Sequence, residues 1–153
     1  MKQLTNDIKN KEFKKVYLLV GEEDYLKSVY TKQMVETITD GNNMNESFYN
    51  GNDIDVNEII ENAKSSPFFA EKKIIVAENT NLFSGEGEPL AELLPELPES
   101  TVMVFVERKV DKRTKLYKAI KDAGYIAEIE KQGEQDVSVW AAKVLANSKK
   151  KIT

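Results

Sequence analysis

The segment that follows the first apolar run has the length and position of a phosphate-binding loop. Three of the four fixed positions of the pattern G-x-x-x-x-G-K-[ST] match, at Gly21, Lys27 and Ser28. Leu26 stands where the second glycine would let the backbone approach the phosphates closely. Residues 22–24 add three carboxylates, which would repel a triphosphate in a partly buried site. The sequence therefore predicts the position of a phosphate loop without its nucleotide chemistry.

Two interpretations of this segment stay open. In one, it is an acidic helix N-terminus, which the helix dipole favours, and Lys27 and Ser28 are ordinary surface positions. In the other, the chain is a nucleotide-binding enzyme, an ATPase or a kinase-like protein. Leu26 and the three acidic residues favour the first. The chain also has no histidine and no cysteine. That absence excludes Ser-His-Asp triads, thiolate nucleophiles, and zinc–sulfur and iron–sulfur sites.

Acidic residues at the ends of two apolar runs are the remaining candidates for a metal site. Glu78 and Glu107 occupy the place where active P-loop enzymes hold a magnesium–water network. Neither has a second acidic residue directly beside it, and a lone carboxylate at a strand end is expected to be solvated. The sequence thus predicts no catalytic residue, no cofactor and no metal site.

Hydrophobic patterning gives the elements that position these residues. Several apolar runs lack alternation, which is typical of parallel strands covered on both faces, and periods near 3.6 fill the gaps. The predicted strands are 16–20, 46–49, 73–77, 102–106 and 125–129, and the predicted helices are 24–39, 56–63, 90–97, 111–123 and 136–147. This alternation predicts a three-layer α/β domain with a five-stranded, mostly parallel sheet and right-handed crossovers.

Two adjacent phenylalanines lie between the third predicted strand and the helix before it. Phe68 and Phe69 follow Pro67, which limits continuation of that helix. One interpretation buries one ring under the sheet and leaves the other partly covered at the surface. The other interpretation makes the pair an anchor that enters a hydrophobic pocket of a partner protein. The residues by themselves leave both open.

Charge is unevenly distributed along the chain, whose net charge is −4. The basic segment, residues 107–121, holds seven cations and two anions. It could face a DNA backbone or an acidic subunit, although a solvated helix face is the preferred interpretation. The predicted contact residues, should it bind, are Arg108, Lys109, Lys112, Arg113 and Lys115.

Features of a membrane or secreted protein are missing from the sequence. No stretch approaches 18 consecutive apolar residues, and the first fifteen residues lack the apolar core of a signal peptide. These observations predict a cytoplasmic location and no membrane partner. The last predicted helix runs into the lysines at 149–151, which suggests a boundary toward a further region.

Three stretches, taken in order, resemble the N-terminal domain of the delta subunit family of the bacterial DNA polymerase III clamp loader. They are VYLLVGEEDYL at 16–26, SPFFAEKKIIV at 66–76 and VDKRTKLYKA at 110–119. Residues 135–140 are also similar to the family sequence just before its first domain ends. Each motif is moderately specific, and their order and spacing extend the resemblance over essentially the whole chain.

The resemblance implies an AAA+-like domain with a degenerate P-loop at residues 1–145. Residues 146–153 would then begin the linker to helical lid and collar domains. The family binds the ring-shaped sliding clamp and helps to open it for loading onto primed DNA, without hydrolysing ATP. Implied partners are the clamp, the gamma/tau and delta-prime subunits and, weakly or indirectly, DNA. The assembled holoenzyme is a DNA-directed DNA polymerase.

The same resemblance implies a partner-binding site. A Leu-Phe pair before the third strand of the family enters the hydrophobic pocket of the clamp. By position this pair is Phe68-Phe69, flanked by Pro67 and Ala70. Phe68 departs from the common leucine, so the role carries over with more support for Phe69.

Overall fold

Five strands and five helices alternate along the chain in a computed structural model that describes residues 2–41, 43–51 and 54–130. The strands are β1 Val16–Val20, β2 Glu46–Asn50, β3 Lys73–Glu78, β4 Thr101–Glu107 and β5 Tyr125–Glu128. The helices are α1 Lys2–Asn10, α2 Asp24–Thr39, α3 Val56–Lys64, α4 Glu88–Leu93 and α5 Lys115–Ala123, with 3-10 turns at Asn43–Asn45, Leu82–Ser84 and Leu94–Glu96.

The strands form one parallel sheet in the order β2-β3-β4-β1-β5. Alternate residues of each central strand enter two separate cores, so Leu18 packs toward α3, α4 and α5, whereas Tyr17 and Leu19 pack toward α1 and α2. All five residues of β1 and all seven of β4 are buried. Their unbroken apolar runs therefore reflect helices on both faces. The predicted three-layer α/β fold is confirmed.

Most predicted elements match to within one or two residues at their ends. One helix, α1, was not predicted. Its only apolar residues are Leu4 and Ile8, and both are buried. The helix predicted at 90–97 ends at Leu93 and continues as a 3-10 turn that contains Pro95. The helix predicted at 136–147 and the predicted domain boundary at 145 lie outside the described residues.

The last described helix begins later than predicted. The expectation of a start at Asp111 is wrong, because Thr114 is the N-cap and its hydroxyl accepts a hydrogen bond from the Tyr117 amide. Gly124 ends α5 with φ −148, which is not a left-handed conformation. Its need for glycine is spatial, because an added Cβ would lie 1.8 Å from the Val16 carbonyl oxygen. Within the described residues, no helix is long and apolar enough to cross a bilayer.

Candidate partner-binding site

The aromatic segment, residues 65–72, connects α3 to β3 and carries the phenylalanine pair. Phe69 is 90% exposed and Phe68 is 48% exposed. Their ring centroids are 4.5 Å apart and the planes are nearly perpendicular, a favourable edge-to-face geometry. Neither ring is buried, so the interpretation that one packs under the sheet is wrong. Of the flanking residues, Pro67 is partly buried and Ala70 is exposed.

The backbone of the aromatic segment turns sharply at its tip. Helix α3 ends at Lys64, and Ser65 is already extended at φ −77 and ψ 154. Phe69 has φ +53, in the left-handed region, which costs a residue with a side chain about 1–2 kcal/mol. Such a conformation persists where surrounding contacts hold it. The exposed rings are therefore presented by a turn that the rest of the protein must support.

One support comes from Asn45, in the 3-10 turn before β2. Its side chain is nearly fully buried and bonds the main chain of Phe68 twice. Asn45 Nδ2 donates to the Phe68 carbonyl oxygen at 2.9 Å, and the Phe68 amide donates to Asn45 Oδ1 at 2.6 Å. Sequence reasoning missed Asn45, because an asparagine in a polar connection carries no signal of a contact 23 residues away.

A second support closes the base of the aromatic segment. The ammonium of Lys73, the first residue of β3, donates to Ser65 Oγ at 2.5 Å and to Asn62 Oδ1 at 2.8 Å. It also donates to the Asn62 carbonyl oxygen, at the negative end of the α3 dipole. Burial lowers the pKa of Lys73 below its ordinary value. Lys73 thus joins the first residue of the segment to the strand that follows it.

The aromatic segment and the phosphate-loop segment, residues 21–28, lie at opposite ends of the sheet. The first precedes β3 and so lies at the amino edge, where the parallel strands begin. The second follows β1 and lies at the carboxyl edge, the usual ligand-binding edge of such sheets. A groove beside Phe69, with a volume of about 500 Å³, is bordered by the C-terminal end of α2, Phe13 and Lys72.

Protein groups already bond three of the hydrogen-bond donors in the phosphate-loop segment. The Gly21 amide donates to the Glu107 carbonyl oxygen at 3.1 Å, and the Glu23 amide donates to the Ile129 carbonyl oxygen at 3.3 Å. The Lys27 ammonium donates to the carbonyl oxygens of Gly21 and Glu107 at 2.6 and 3.1 Å. Phosphate would have to compete with these contacts for every one of those donors.

Lys27 therefore has a structural place that the sequence did not reveal. The expectation of a surface position is wrong, because Lys27 is only 2% exposed, whereas Ser28 is exposed as expected. Its ammonium also lies 3.2 Å from a carboxylate oxygen of Asp24. Lys27 therefore joins the ends of β1 and β4 to the first turn of α2. Only the packed sheet brings these groups together, so the sequence gives no sign of the contact.

The strand-end acids differ from one another. Glu78 is partly buried, but Glu107 is almost completely buried, so the expectation that it is solvated is wrong. One Glu107 oxygen accepts hydrogen bonds from the Thr80 amide at 3.0 Å and the Thr80 hydroxyl at 2.8 Å. Burial raises the pKa of Glu107, partly offset by these bonds and by Lys27. Among the described residues, no three acidic, histidine or cysteine side chains group as metal ligands.

We expect Glu107→Gln to be neutral or stabilising near pH 7, because a neutral amide oxygen can keep both bonds from Thr80. The wild-type carboxyl has a folded-state pKa above its unfolded value, so the folded protein binds the proton more tightly. The free energy of unfolding of the wild type should rise as pH falls through the folded-state pKa toward 4.5, and the advantage of the variant should shrink. Thermal melts across this pH range, with Glu78→Gln as control, test it. A difference independent of pH would contradict it.

The basic segment is largely paired within the chain. Four of its five predicted contact residues lie within 4.0 Å of a carboxylate, and Lys109 has no ion pair among the described residues. The pairs are Arg108–Asp24 at 3.6 Å, Lys112–Glu128 at 3.2 Å, Arg113–Asp111 at 3.0 Å and Lys115–Glu88 at 3.9 Å. Exposed pairs of this kind are weak, so they lower the local positive potential without preventing contact. A role in binding DNA or a subunit stays a prediction.

Two solved structures share the fold of this domain. A solved DNA clamp loader delta protein of Bacillus subtilis superposes with a TM-score of 0.79 at 22% identity, covering 91% of this chain and 45% of that one. A DNA polymerase III gamma subunit-related protein of Thermotoga maritima gives 0.57 at 16% identity, covering 87% and 47%. The domain therefore has the AAA+-like fold found in clamp-loader proteins.

The family assignment comes from sequence. The family model described as DNA polymerase III, delta subunit, matches residues 17–130. The chain is 23% identical over 158 residues to the DNA polymerase III subunit delta of Bacillus subtilis, across 95% of this chain and 46% of that protein. The chain belongs to the DNA polymerase III delta subunit family and spans about half the length of this curated relative.

Proposed function

We propose that this chain is the clamp-binding domain of a non-catalytic clamp-loader subunit. Phe68 and Phe69 enter a hydrophobic pocket of the sliding clamp, with Pro67 and Ala70 at the margin of the contact, and binding helps to open the clamp for loading onto primed DNA. The observation that carries this proposal is the exposed, perpendicular ring pair at the tip of a turn held by buried polar side chains.

Energetics support an anchor at this position. An aromatic side chain that is 90% exposed gains little for folding, yet it can bury most of its surface in a partner. Rigid aromatic rings are enriched among the few residues that supply most binding energy at protein interfaces. The perpendicular pair presents a face and an edge together, which suits a concave apolar pocket.

The remaining parts of the proposal concern the assembly. The partners are the sliding clamp and the gamma/tau and delta-prime subunits, and DNA contact is weak or indirect. Residues 1–145 form the AAA+-like domain, and residues 146–153 begin the linker to lid and collar domains. The protein acts in the cytoplasm within the polymerase III holoenzyme, where neighbouring subunits handle ATP.

A binding titration tests the proposal directly. The 153-residue chain is titrated with the sliding clamp of the same organism and, separately, with primed DNA. Saturable binding to the clamp that is insensitive to moderate salt supports an apolar anchor. Binding to DNA alone, with a steep loss of affinity on adding salt, would replace the proposal with a nucleic-acid function of the basic segment.

We expect millimolar ATP with magnesium to leave the melting temperature unchanged and to be hydrolysed no faster than background. The Gly21 and Glu23 amides and the Lys27 ammonium already have protein acceptors. A ligand at 100 times its dissociation constant would add about 2.7 kcal/mol, enough to raise the melting temperature by several degrees. Differential scanning fluorimetry and a phosphate-release assay check this. A saturable rise with ATP would favour the alternative, a nucleotide-binding enzyme.

A further inference from the structure

Asn45 is a buried polar residue whose side chain makes two hydrogen bonds to the aromatic segment. We infer that Asn45 is a positioning residue for the phenylalanine pair, holding the turn in the conformation that the clamp accepts. This inference rests on the proposed function, because it concerns the same site. On this inference, the affinity that Phe68 and Phe69 provide depends on Asn45, a buried residue that does not itself contact the partner.

The geometry of the contact supports this role. The side-chain amide of Asn45 donates to the Phe68 carbonyl and accepts from the Phe68 amide, as a neighbouring strand would. Asn45 immediately precedes β2, whose first residue Glu46 is in register with Ile74 of β3. Its main chain is therefore fixed by the sheet. The two bonds carry that rigidity to the residue before the left-handed turn at Phe69.

The strained backbone at Phe69 needs a restraint, and the hydrogen bonds between Asn45 and Phe68 provide one. A phenylalanine at φ +53 would relax toward the right-handed or extended regions if its neighbour were free. The rings would then sample several orientations, and the partner would have to select one of them. Holding a loop in its bound conformation raises affinity by removing this ordering cost from the binding step.

The surroundings of Phe68 separate this role from simple stabilisation. Phe68 is 48% exposed, so its peptide groups can bond water if Asn45 is lost. Asn45→Ala removes the buried amide itself, and the Phe68 amide and carbonyl that lose their partner belong to a residue that solvent can reach. The cost in folding stability should therefore be modest, as it is when no buried polar atom is left unsatisfied. The larger effect should fall on binding.

The test compares Asn45→Ala with a matched control, Thr80→Val. The Thr80 hydroxyl also makes two hydrogen bonds, to Glu107 and from the Leu82 amide, but at the carboxyl edge of the sheet. Asn45→Ala should weaken clamp binding about tenfold, and Thr80→Val should leave it within about twofold. In a background that lacks both rings, with Phe68→Ala and Phe69→Ala, Asn45→Ala should change the remaining affinity by less than about twofold, because the rings it positions are gone.

A second measurement needs no partner. Hydrogen exchange of the Phe68 amide should speed up at least about tenfold in Asn45→Ala and stay unchanged in Thr80→Val. Faster exchange with weaker binding supports the inference. Unchanged exchange, or faster exchange with wild-type affinity, overturns it. If the wild-type chain does not bind the clamp, the proposed function fails, and the exchange data alone decide whether Asn45 holds the turn.

Discussion

Replacing both Phe68 and Phe69 with alanine is expected to reduce affinity for the sliding clamp at least about thirtyfold while the domain stays folded. Truncation of an aromatic anchor typically costs 2 kcal/mol or more in binding, which corresponds to about thirtyfold. A buried phenylalanine would instead cost about 3–5 kcal/mol of folding stability. Phe68 and Phe69 are 48% and 90% exposed, so their truncation should not carry the folding cost of a buried phenylalanine. Phe69 should contribute at least as much as Phe68.

A matched control for this experiment exists in the chain. Phe48 on the edge strand β2 is 57% exposed, between the values of the two candidate anchors. Phe48→Ala removes a similarly exposed ring that lies outside the aromatic segment, and it should leave clamp affinity nearly unchanged. Isothermal titration and thermal melts should be run on all variants. An early-melting double variant, or a folded one that binds like the wild type, would remove the anchor assignment.

Gly21→Ala is expected to lower the free energy of unfolding by at least about 3 kcal/mol, mainly through backbone displacement. Gly21 has φ +142, a conformation that residues with a side chain rarely adopt. An added Cβ would also lie 2.0 Å from the Ile129 carbonyl oxygen, which cannot move without breaking its bond from the Glu23 amide. The junction between β1 and the end of β5 would open. The melting temperature should fall by roughly 6–12 °C.

Gly85→Ala separates the two causes of that loss. Gly85 also has a positive φ, +114, but nothing lies within 4 Å of its Cβ position. This control should therefore show only the conformational cost, about 1–3 kcal/mol. Chemical denaturation of both variants measures the difference. If Gly21→Ala and Gly85→Ala lower the free energy of unfolding equally, the close approach of Ile129 to Gly21 does not contribute to the loss, and this prediction is wrong.

The sequence predicted the elements that bury a continuous apolar run and little of what joins them. The runs 16–20 and 102–106 indicated buried parallel strands because packing of this kind leaves its mark residue by residue. Helix α1 was missed because only Leu4 and Ile8 mark its buried face. A further anchor of this helix is Asp7, which accepts a hydrogen bond from the Tyr17 hydroxyl of β1 at 2.6 Å. Such a contact has no local signature.

The same distinction holds at the site. The Phe68-Phe69 pair was visible because two adjacent large apolar residues at a junction are hard to bury together. Asn45 and Lys73 were not, because both act through hydrogen bonds to main-chain or side-chain groups that only the folded sheet brings near. For Lys27, the sequence predicted solvent, and the carbonyl oxygens of Gly21 and Glu107 made burial possible.

The ring pair lies at the amino edge of the sheet, opposite the phosphate-loop segment, so a rotation at one edge displaces groups at the other. The six residues of β3 that separate the two edges span about 20 Å at 3.3 Å per residue. Hydrogen bonds to both neighbouring strands stiffen that span. A rotation of about 10° imposed at the carboxyl edge would therefore swing the rings by roughly 3–4 Å. If Phe68 and Phe69 bind the clamp as proposed, a partner bound at the carboxyl edge of the sheet could move the bound clamp through this strand.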